Sequence, residues 1–233
     1  SRVSRGLGDV YKRQMLSSTL EHPASMSAMK KWAKNTQRNH IIVEHNDSLG
    51  TVDGRAYSKK LTSDVRVVSV VHTSPVTGMT VDLEKITQEV RNVTPECIIV
   101  VDGIQHSSHG AIDVQKYNID GYVVSPYKMF SRHGYGVAWA SDRLCALSKE
   151  QLVDGPSQNW ELGTRDAGSY ATFSDVVDYL DWLGSNFTNS ENTRERLEAS
   201  SVAIKSHEQE LVDLVLNGSE NLVGLITVSY THL

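Results

Sequence analysis

Two short apolar runs in this sequence end in side chains that could do chemistry. Residues 97–101 lead into Asp102, and residues 121–124 lead into Ser125 and Lys128. Short β-branched runs bounded by polar turns are typical of buried parallel strands, and open α/β sheets bind ligands beyond the carboxyl ends of such strands. We therefore expect a carboxylate and an amine to meet at one sheet edge. They are the minimum that pyridoxal 5'-phosphate (PLP) requires, because the lysine forms a Schiff base and the acid pairs with the pyridinium nitrogen.

The order of these residues supports a more specific assignment. The segment 65–182 resembles the PLP-binding domain of the class V aminotransferase family, whose best-known members are cysteine desulfurases. The resemblance is carried by an Asp-x-x-Gln motif and a later Ser-x-x-Lys motif. It implies that Asp102 holds the ring nitrogen, Gln105 touches the ring hydroxyl, Ser125 binds the phosphate and Lys128 carries the Schiff base.

Three further positions extend the resemblance, and one of them departs from the usual residue. Glu-His-x-Ala at 21–24 implies that His22 stacks on the cofactor ring, although a histidine taken alone would be an exposed helix cap. Tyr127 replaces a histidine that helps to bind phosphate in many desulfurases, and a phenol can still donate one hydrogen bond. The Trp-Glu-Leu-Gly-Thr run implies that Thr164 reaches the phosphate of a neighbouring subunit in a homodimer. An ordinary polar turn before a helix is the alternative.

One position departs from the family pattern. Pro75 stands where family members usually have an asparagine that approaches the ring hydroxyl, and proline has neither a side-chain donor nor an N–H. Either Gln105 makes this contact alone, or Thr73 or Ser74 substitutes.

Both ends of the chain read as foreign sequence. Residues 4–14 can be back-translated into one frame of a transposase-based sequencing adapter, and residues 228–233 into the same adapter end in reverse complement. Such segments must be excluded from fold reasoning. We therefore expect 1–14 and 227–233 to be adapter-derived and the rest to be a fragment of a longer gene product; a genuine basic N-terminal tail is the alternative.

Composition excludes several classes of protein. The formal charge is −5, and residues 1–14 contribute a net +3, so the remainder is near −8, which argues against nucleic-acid and anionic-membrane partners. No apolar run is long enough to span a bilayer. Two cysteines suggest no disulfide framework and favour a reducing compartment, so we expect a cytoplasmic protein. His106 and His109 lack a third ligand at suitable spacing, and we expect no metal site.

Alternating strand and helix signals define the fold class. They predict strands over 65–71 and 121–124, a helix over 26–35, and a helix over 83–93 that Asp82 caps. We predict an α/β fold with a mostly parallel central sheet and helices on both faces, the three-layer large domain of PLP-dependent transferases, truncated at both ends. The predicted large domain spans 15–190. Residues 191–226 form a long helix and the start of a truncated small domain. The apolar stripes at 176–183 and 197–211 are expected to be core.

The predicted function is that of a PLP-dependent enzyme acting on an amino acid, similar to cysteine desulfurases. In that family a mobile-loop cysteine attacks the substrate sulfur, and neither Cys97 nor Cys145 occupies its position. An aminotransferase, epimerase or lyase of another amino acid, or a PLP-binding protein without turnover, is the alternative. We expect the fragment itself to be inactive, because the resemblance implies that a phosphate-cradling loop and a carboxylate-binding arginine lie outside it.

Overall fold

The computed structural model describes residues 13–155, 160, 162–164 and 166–225. It divides into two compact units: residues up to 107 with 113–169, and residues 108–112 with those from 170 onward. The predicted adapter-derived segments, 1–14 and 227–233, lie outside the described residues except for Arg13 and Gln14. The domain boundary at residue 190 remains a prediction.

The first unit contains a six-stranded sheet. Its strands are β1 (Gln14–Ser18), β2 (Asn39–Val43), β3 (Val65–Val71), β4 (Ile98–Asp102), β5 (Gly121–Val124) and β6 (Val137–Ala140). They lie side by side in the order β2-β1-β3-β4-β5-β6. The first five strands are parallel and β6 pairs antiparallel to β5. The predicted mostly parallel sheet is confirmed.

Burial explains why these apolar runs form strands. Val70 and Val71 are consecutive residues of β3, and both are essentially inaccessible to solvent. Because successive side chains of a strand point to opposite faces, both faces of the sheet must be covered at this position. Continuous apolar runs are typical of such doubly covered parallel strands.

Four helices of the first unit begin at side-chain caps. They are α1 (Pro23–Asn35), α2 (Gly54–Ser58), α3 (Leu83–Val93) and α4 (Asp142–Cys145). Asp82 accepts a hydrogen bond from the Lys85 N–H, as predicted for the cap of α3. Helix α1 begins three residues earlier than the predicted 26–35, because His22 caps it and Pro23 occupies its first turn.

An ion-pair cluster fixes the amino end of β5, at the edge of the sheet opposite to Asp102. Asp120 accepts hydrogen bonds from Arg143, Arg91 and the Ile99 N–H at 2.7–2.9 Å. Burial alone would raise the pKa of Asp120, but these bonds outweigh it and lower the pKa to about 2. The carboxylate is therefore a structural anion that ties β5 to β4 and α3.

The second unit is mainly helical. It contains most of α5 (Ala167–Gly184), all of α6 (Thr193–Asn217), and a hairpin of β7 (Gly218–Ser219) and β8 (Leu222–Val223). A Cβ atom at Gly184 would lie 1.9 Å from the Arg196 carbonyl oxygen, so glycine permits the close approach of the two helices. Arg196 also pairs with Asp181 at 3.2 Å.

The prediction that both helical stripes are core is wrong in part. Val176 is buried, whereas Tyr179 on α5 and Leu211 on α6 are 43% and 48% exposed. Helical spacing of apolar residues marks a face that can be buried, but burial requires an element that covers it. Among the described residues, we find no helix with the length and apolar content that a bilayer crossing requires.

Candidate active site

A cavity of about 250 Å³ lies within the first unit, beside the carboxyl ends of the parallel strands. Its lining residues end or follow β1, β3, β4 and β5 in the chain. The strand order reverses between β1 and β3, and doubly wound sheets bind ligands at such a switch point. The lining includes all but one of the predicted site residues: His22, Asp102, Gln105, Ser125, Tyr127 and Lys128.

Asp102 is the last residue of β4, and both of its carboxylate oxygens are held. Oδ1 accepts the Ile104 N–H at 3.1 Å, and Oδ2 accepts the Ser25 hydroxyl at 3.1 Å. Both donors are neutral, so they orient the carboxylate without cancelling its charge. Since a carboxylate offers about four lone-pair positions, further ones remain for a ligand N–H.

Lys128 ends a short 3₁₀ turn, Pro126–Lys128, that directly follows β5 and Ser125. Its Nζ donates to Gln105 Oε1 at 2.8 Å. This bond joins the Lys128 amine to the residue predicted to contact the ring hydroxyl. The two motifs recognised in the sequence, Asp-x-x-Gln and Ser-x-x-Lys, therefore meet in one cavity.

Two hydroxyl groups lie beside this lysine in the chain. Ser125 lines the cavity and its side chain does not cap the following turn. Tyr127 also lines the cavity, is 40% exposed, and stacks on His133 with ring centroids 4.2 Å apart. Both residues are placed at the cavity, as their predicted phosphate-binding roles require, and the roles themselves remain predictions.

His22 occupies the helix-cap position that the sequence analysis gave as the alternative, and its stacking on a cofactor ring remains a prediction. It is exposed and caps α1, because its Nδ1 accepts the Ala24 N–H at 3.1 Å, and it also lines the cavity. An Nδ1 atom that accepts an N–H carries no proton, so the neutral ring holds its proton on Nε2. His22 therefore presents a donor rather than an acceptor at Nε2.

Glu21, the preceding residue, is a buried carboxyl group that the sequence reasoning did not single out. Oε1 accepts from the N–H and hydroxyl of Ser18 and from the Val71 N–H, and Oε2 accepts from the Ser69 hydroxyl. Burial raises the pKa of Glu21 to about 7, although these hydrogen bonds oppose the change and the charge of Asp102 adds to it. Glu21 thus fastens the junction after β1 to β3.

The structure reduces the number of residues that could take over the ring-hydroxyl contact for which Pro75 has no donor. Pro75 and Thr73 both line the cavity, whereas the Ser74 hydroxyl is buried and donates to the Leu20 carbonyl oxygen. The Thr73 hydroxyl hydrogen-bonds with His106 Nδ1 at 2.9 Å. Of the two proposed substitutes, only Thr73 is at the cavity, and its contact with a cofactor remains a prediction.

Thr164 is described and exposed, but it is not among the residues lining this cavity. Its predicted role concerns a neighbouring subunit. Glu161, within the same run, and Arg165, which follows it, lie outside the described residues. The role of Thr164 therefore remains a prediction.

The remaining candidate residues lie elsewhere. Cys97 precedes β4, and burial raises the pKa of its thiol to about 12, so it is not a nucleophile at neutral pH. Cys145 ends α4. Within the second unit His109 pairs with Glu208 at 2.7 Å. The part of the chain that the structure describes contains no cluster of three His, Cys, Asp or Glu side chains suited to a metal ion.

The polar groups that line the cavity fit PLP. The cofactor's aldehyde requires a primary amine, its ring nitrogen a carboxylate, its ring hydroxyl an amide and its phosphate hydrogen-bond donors. Lys128, Asp102 and Gln105 supply the first three, and the hydroxyls of Ser125 and Tyr127 are available for the fourth.

Sequence reasoning missed Ser25, which holds Asp102 from the first turn of α1. Its position three residues after His22 could have indicated it, because a side chain in the first turn of a helix can line the same cavity as the residue that caps the helix. It also missed the Ile104 N–H, because a backbone donor has no residue-type signature.

Comparison with known proteins identifies the family. Residues 5–230 match the sequence profile described as "Aminotransferase class-V". The chain belongs to the class V aminotransferase family, and it is similar to the cysteine desulfurases within it. Enzymes of this family are PLP-dependent, which agrees with the donor set of the cavity.

Individual relatives are distant. A probable cysteine desulfurase of Mycoplasma genitalium is 28% identical over 135 residues, which cover 58% of this chain and 33% of that protein. The cysteine desulfurase-like protein ustD of Aspergillus flavus is 30% identical over 184 residues, covering 72% of this chain and 40% of that protein. The chain therefore spans less than half the length of these curated relatives.

Solved structures confirm the fold. The cysteine desulfurase CsdA from Escherichia coli, in its S-sulfonic acid form, aligns with a TM-score of 0.63 and 22% identity, covering 78% of this chain and 47% of that one. The apo cysteine desulfurase from Thermococcus onnurineus aligns with a TM-score of 0.65 and 21% identity, covering 94% and 57%. At this level of identity the likeness supports the α/β architecture.

Proposed function

We propose that this chain forms the PLP-binding part of an enzyme that acts on an amino acid, with the cofactor attached to Lys128. The observation that carries this proposal is the meeting of Lys128, Gln105 and Asp102 in one cavity, with the Lys128 amine 2.8 Å from the Gln105 amide oxygen. Family membership supports the same cofactor.

When bound, PLP supplies an aldehyde that links to amines and a ring that withdraws electrons from a substrate's α-carbon. Lys128 Nζ would be the attachment point for the cofactor's aldehyde, and the same amine would act as the base that removes and returns the substrate's α-carbon proton. Asp102 holds a proton on the ring nitrogen, because its own two hydrogen bonds come from neutral groups and leave its charge intact.

The other lining residues orient the cofactor. Gln105 holds the ring hydroxyl, and Ser125 and Tyr127 donate hydrogen bonds to the phosphate. His22 would lie against the cofactor ring, and it presents its Nε2–H because its Nδ1 is occupied by the cap of α1. Glu21 keeps this histidine in place by fastening the β1–α1 junction to β3.

The preferred reaction is carbon–sulfur cleavage of a cysteine-like substrate, by similarity to the relatives named above. Transamination, epimerisation or lyase chemistry on another amino acid is the alternative, since one fold supports many PLP reactions. We further propose a homodimer in which Thr164 reaches the neighbouring active site. A cytoplasmic location is proposed from the cysteine usage.

The experiment uses this chain and the longest gene product that contains it. Each is titrated with PLP and then given cysteine, alanine and other amino acids, while visible absorption and products are recorded. We expect a PLP absorption band and an amino-acid-dependent spectral change. In the longer protein we also expect alanine from cysteine, with the sulfur left as an enzyme-bound persulfide that an added thiol reductant releases as sulfide. A keto-acid product would identify transamination or a lyase reaction, and inversion at the substrate's α-carbon would identify epimerisation. Bound PLP without any product would indicate a PLP-binding protein without turnover. Absence of PLP binding in both proteins would refute the proposal.

A further inference from the structure

Ser25 lies in the first turn of α1 and bridges this helix to the end of β4. Its hydroxyl donates to Asp102 Oδ2 at 3.1 Å, and Ser25 itself is half-buried in the cavity lining. The two residues are separated by 77 positions in the chain. The bond therefore joins two elements that the sheet brings together. It reaches Asp102, which is the one carboxylate among the described residues that line the cavity.

Asp102 needs this second anchor to keep a single orientation. The terminal torsion of an aspartate is broad, so one hydrogen bond leaves the carboxylate free to rotate about it. The Ile104 N–H fixes Oδ1, and the Ser25 hydroxyl fixes Oδ2. Together they define the plane of the carboxylate, and thus the direction of its unused lone pairs.

The donor is itself held in place. His22 caps α1 three residues before Ser25, and Glu21 ties the same junction to Ser18 of β1 and to Val71 of β3. In the sheet register Val71 is paired with Asp102. The donor and the acceptor are therefore anchored to adjacent strands, which limits their relative movement.

We propose that Ser25 is a positioning residue that fixes the Asp102 carboxylate for the ring nitrogen of PLP. This inference rests on the proposed function. Because the Ser25 hydroxyl is neutral, it orients the carboxylate and stabilises its charge without competing as a counter-ion. Loss of the hydroxyl weakens the hold of Asp102 on a protonated ring nitrogen and leaves the fold intact.

Three variants of the full chain test this role. Ser25→Ala removes the hydroxyl, and Ser25→Thr retains it. Ser58→Ala is the matched control, because the Ser58 hydroxyl also donates to a half-buried carboxylate, that of Glu89, outside the cavity. For each protein we would measure the apo melting temperature, the PLP dissociation constant, and the pH titration of the bound cofactor's visible absorption.

We expect Ser25→Ala to weaken PLP binding about tenfold, the scale of one hydrogen bond to a charged group. The midpoint of the pH titration of its bound cofactor's visible absorption shifts. Its apo melting temperature falls no further below wild type than that of the Ser58→Ala control. Ser25→Thr and Ser58→Ala bind PLP within about twofold of wild type.

Two results would overturn the inference. The first is a Ser25→Ala protein with wild-type affinity and an unchanged titration. The second is an apo melting temperature that falls enough to account for the weaker binding, since this would assign Ser25 to the fold. If wild type binds no PLP, either as this chain or within the longer gene product, the proposed function fails, and the inference fails with it; the two failures are therefore distinguished by the wild-type titration.

Discussion

Replacing Asp102 by asparagine isolates the charge of the candidate site from its shape. Asparagine keeps the side-chain volume, and its oxygen can still accept the Ile104 N–H that now lies 3.1 Å from Oδ1. Its amide nitrogen then faces the Ser25 hydroxyl, which can rotate to accept instead of donate. We therefore expect the apo fold to survive this substitution.

The expected loss lies in cofactor binding. The neutral amide gives up one charge-assisted hydrogen bond to the protonated ring nitrogen, a bond worth about 1.5–3 kcal/mol. This corresponds to PLP affinity about 10-fold to 150-fold below wild type. The bound cofactor should also titrate at a different pH, because the carboxylate no longer stabilises the ring proton.

The assay is a PLP titration of the apo chain in which binding is monitored by visible absorption and by fluorescence quenching. Asp82→Asn is the matched control, since Asp82 also accepts a backbone N–H at 3.1 Å but caps α3 away from the cavity. The control should keep wild-type affinity. If Asp102→Asn bound PLP with wild-type affinity and an unchanged spectrum, the assignment of Asp102 to the ring nitrogen would be refuted.

Two other predictions concern stability. Glu21 has a folded-state pKa raised from 4.5 to about 7, so the unfolded chain loses this proton first and stability falls as pH rises between these values, by about 3 kcal/mol. Urea unfolding should show that, between pH 5 and pH 8, the free energy of unfolding of wild type falls relative to that of Glu21→Gln by this amount. The same pH dependence in both proteins would contradict the prediction. Gly103→Ala should destabilise the protein by about 1–3 kcal/mol and weaken PLP binding, because its Cβ would lie 2.0 Å from the Tyr122 ring beside Asp102. Unfolding and binding measurements equal to wild type would contradict this.

The sequence predicted the strands of the sheet well for a physical reason. Val65–Val71 and Gly121–Val124 are short β-branched or aromatic runs between polar turns, and they form strands with the predicted bounds. Helix α3 likewise has its predicted bounds, because Asp82 caps it and Pro95 follows its end. Local signals suffice where the pattern and the packing agree.

The sequence could not predict contacts between distant segments. The bond from Ser25 to Asp102 depends on how α1 lies across the end of β4, and the burial of Glu21 depends on the pairing of β1 with β3. The exposure of Tyr179 and Leu211 was missed because helical periodicity marks a face and not its partner. The predicted role of Thr164 depends on a second subunit, which no pattern in one chain specifies.

The most direct test of the central claim is to locate the cofactor's attachment point. The PLP-loaded chain is reduced with borohydride, digested, and analysed by mass spectrometry, alongside Lys128→Ala and a Lys116→Ala control. Lys116 is exposed and pairs with Asp113 outside the cavity. We predict one reducible, cofactor-bearing peptide that contains Lys128 in wild type and in the control, and none in Lys128→Ala. Reductive attachment at another lysine, with Lys128→Ala labelled as fully as wild type, would contradict the account.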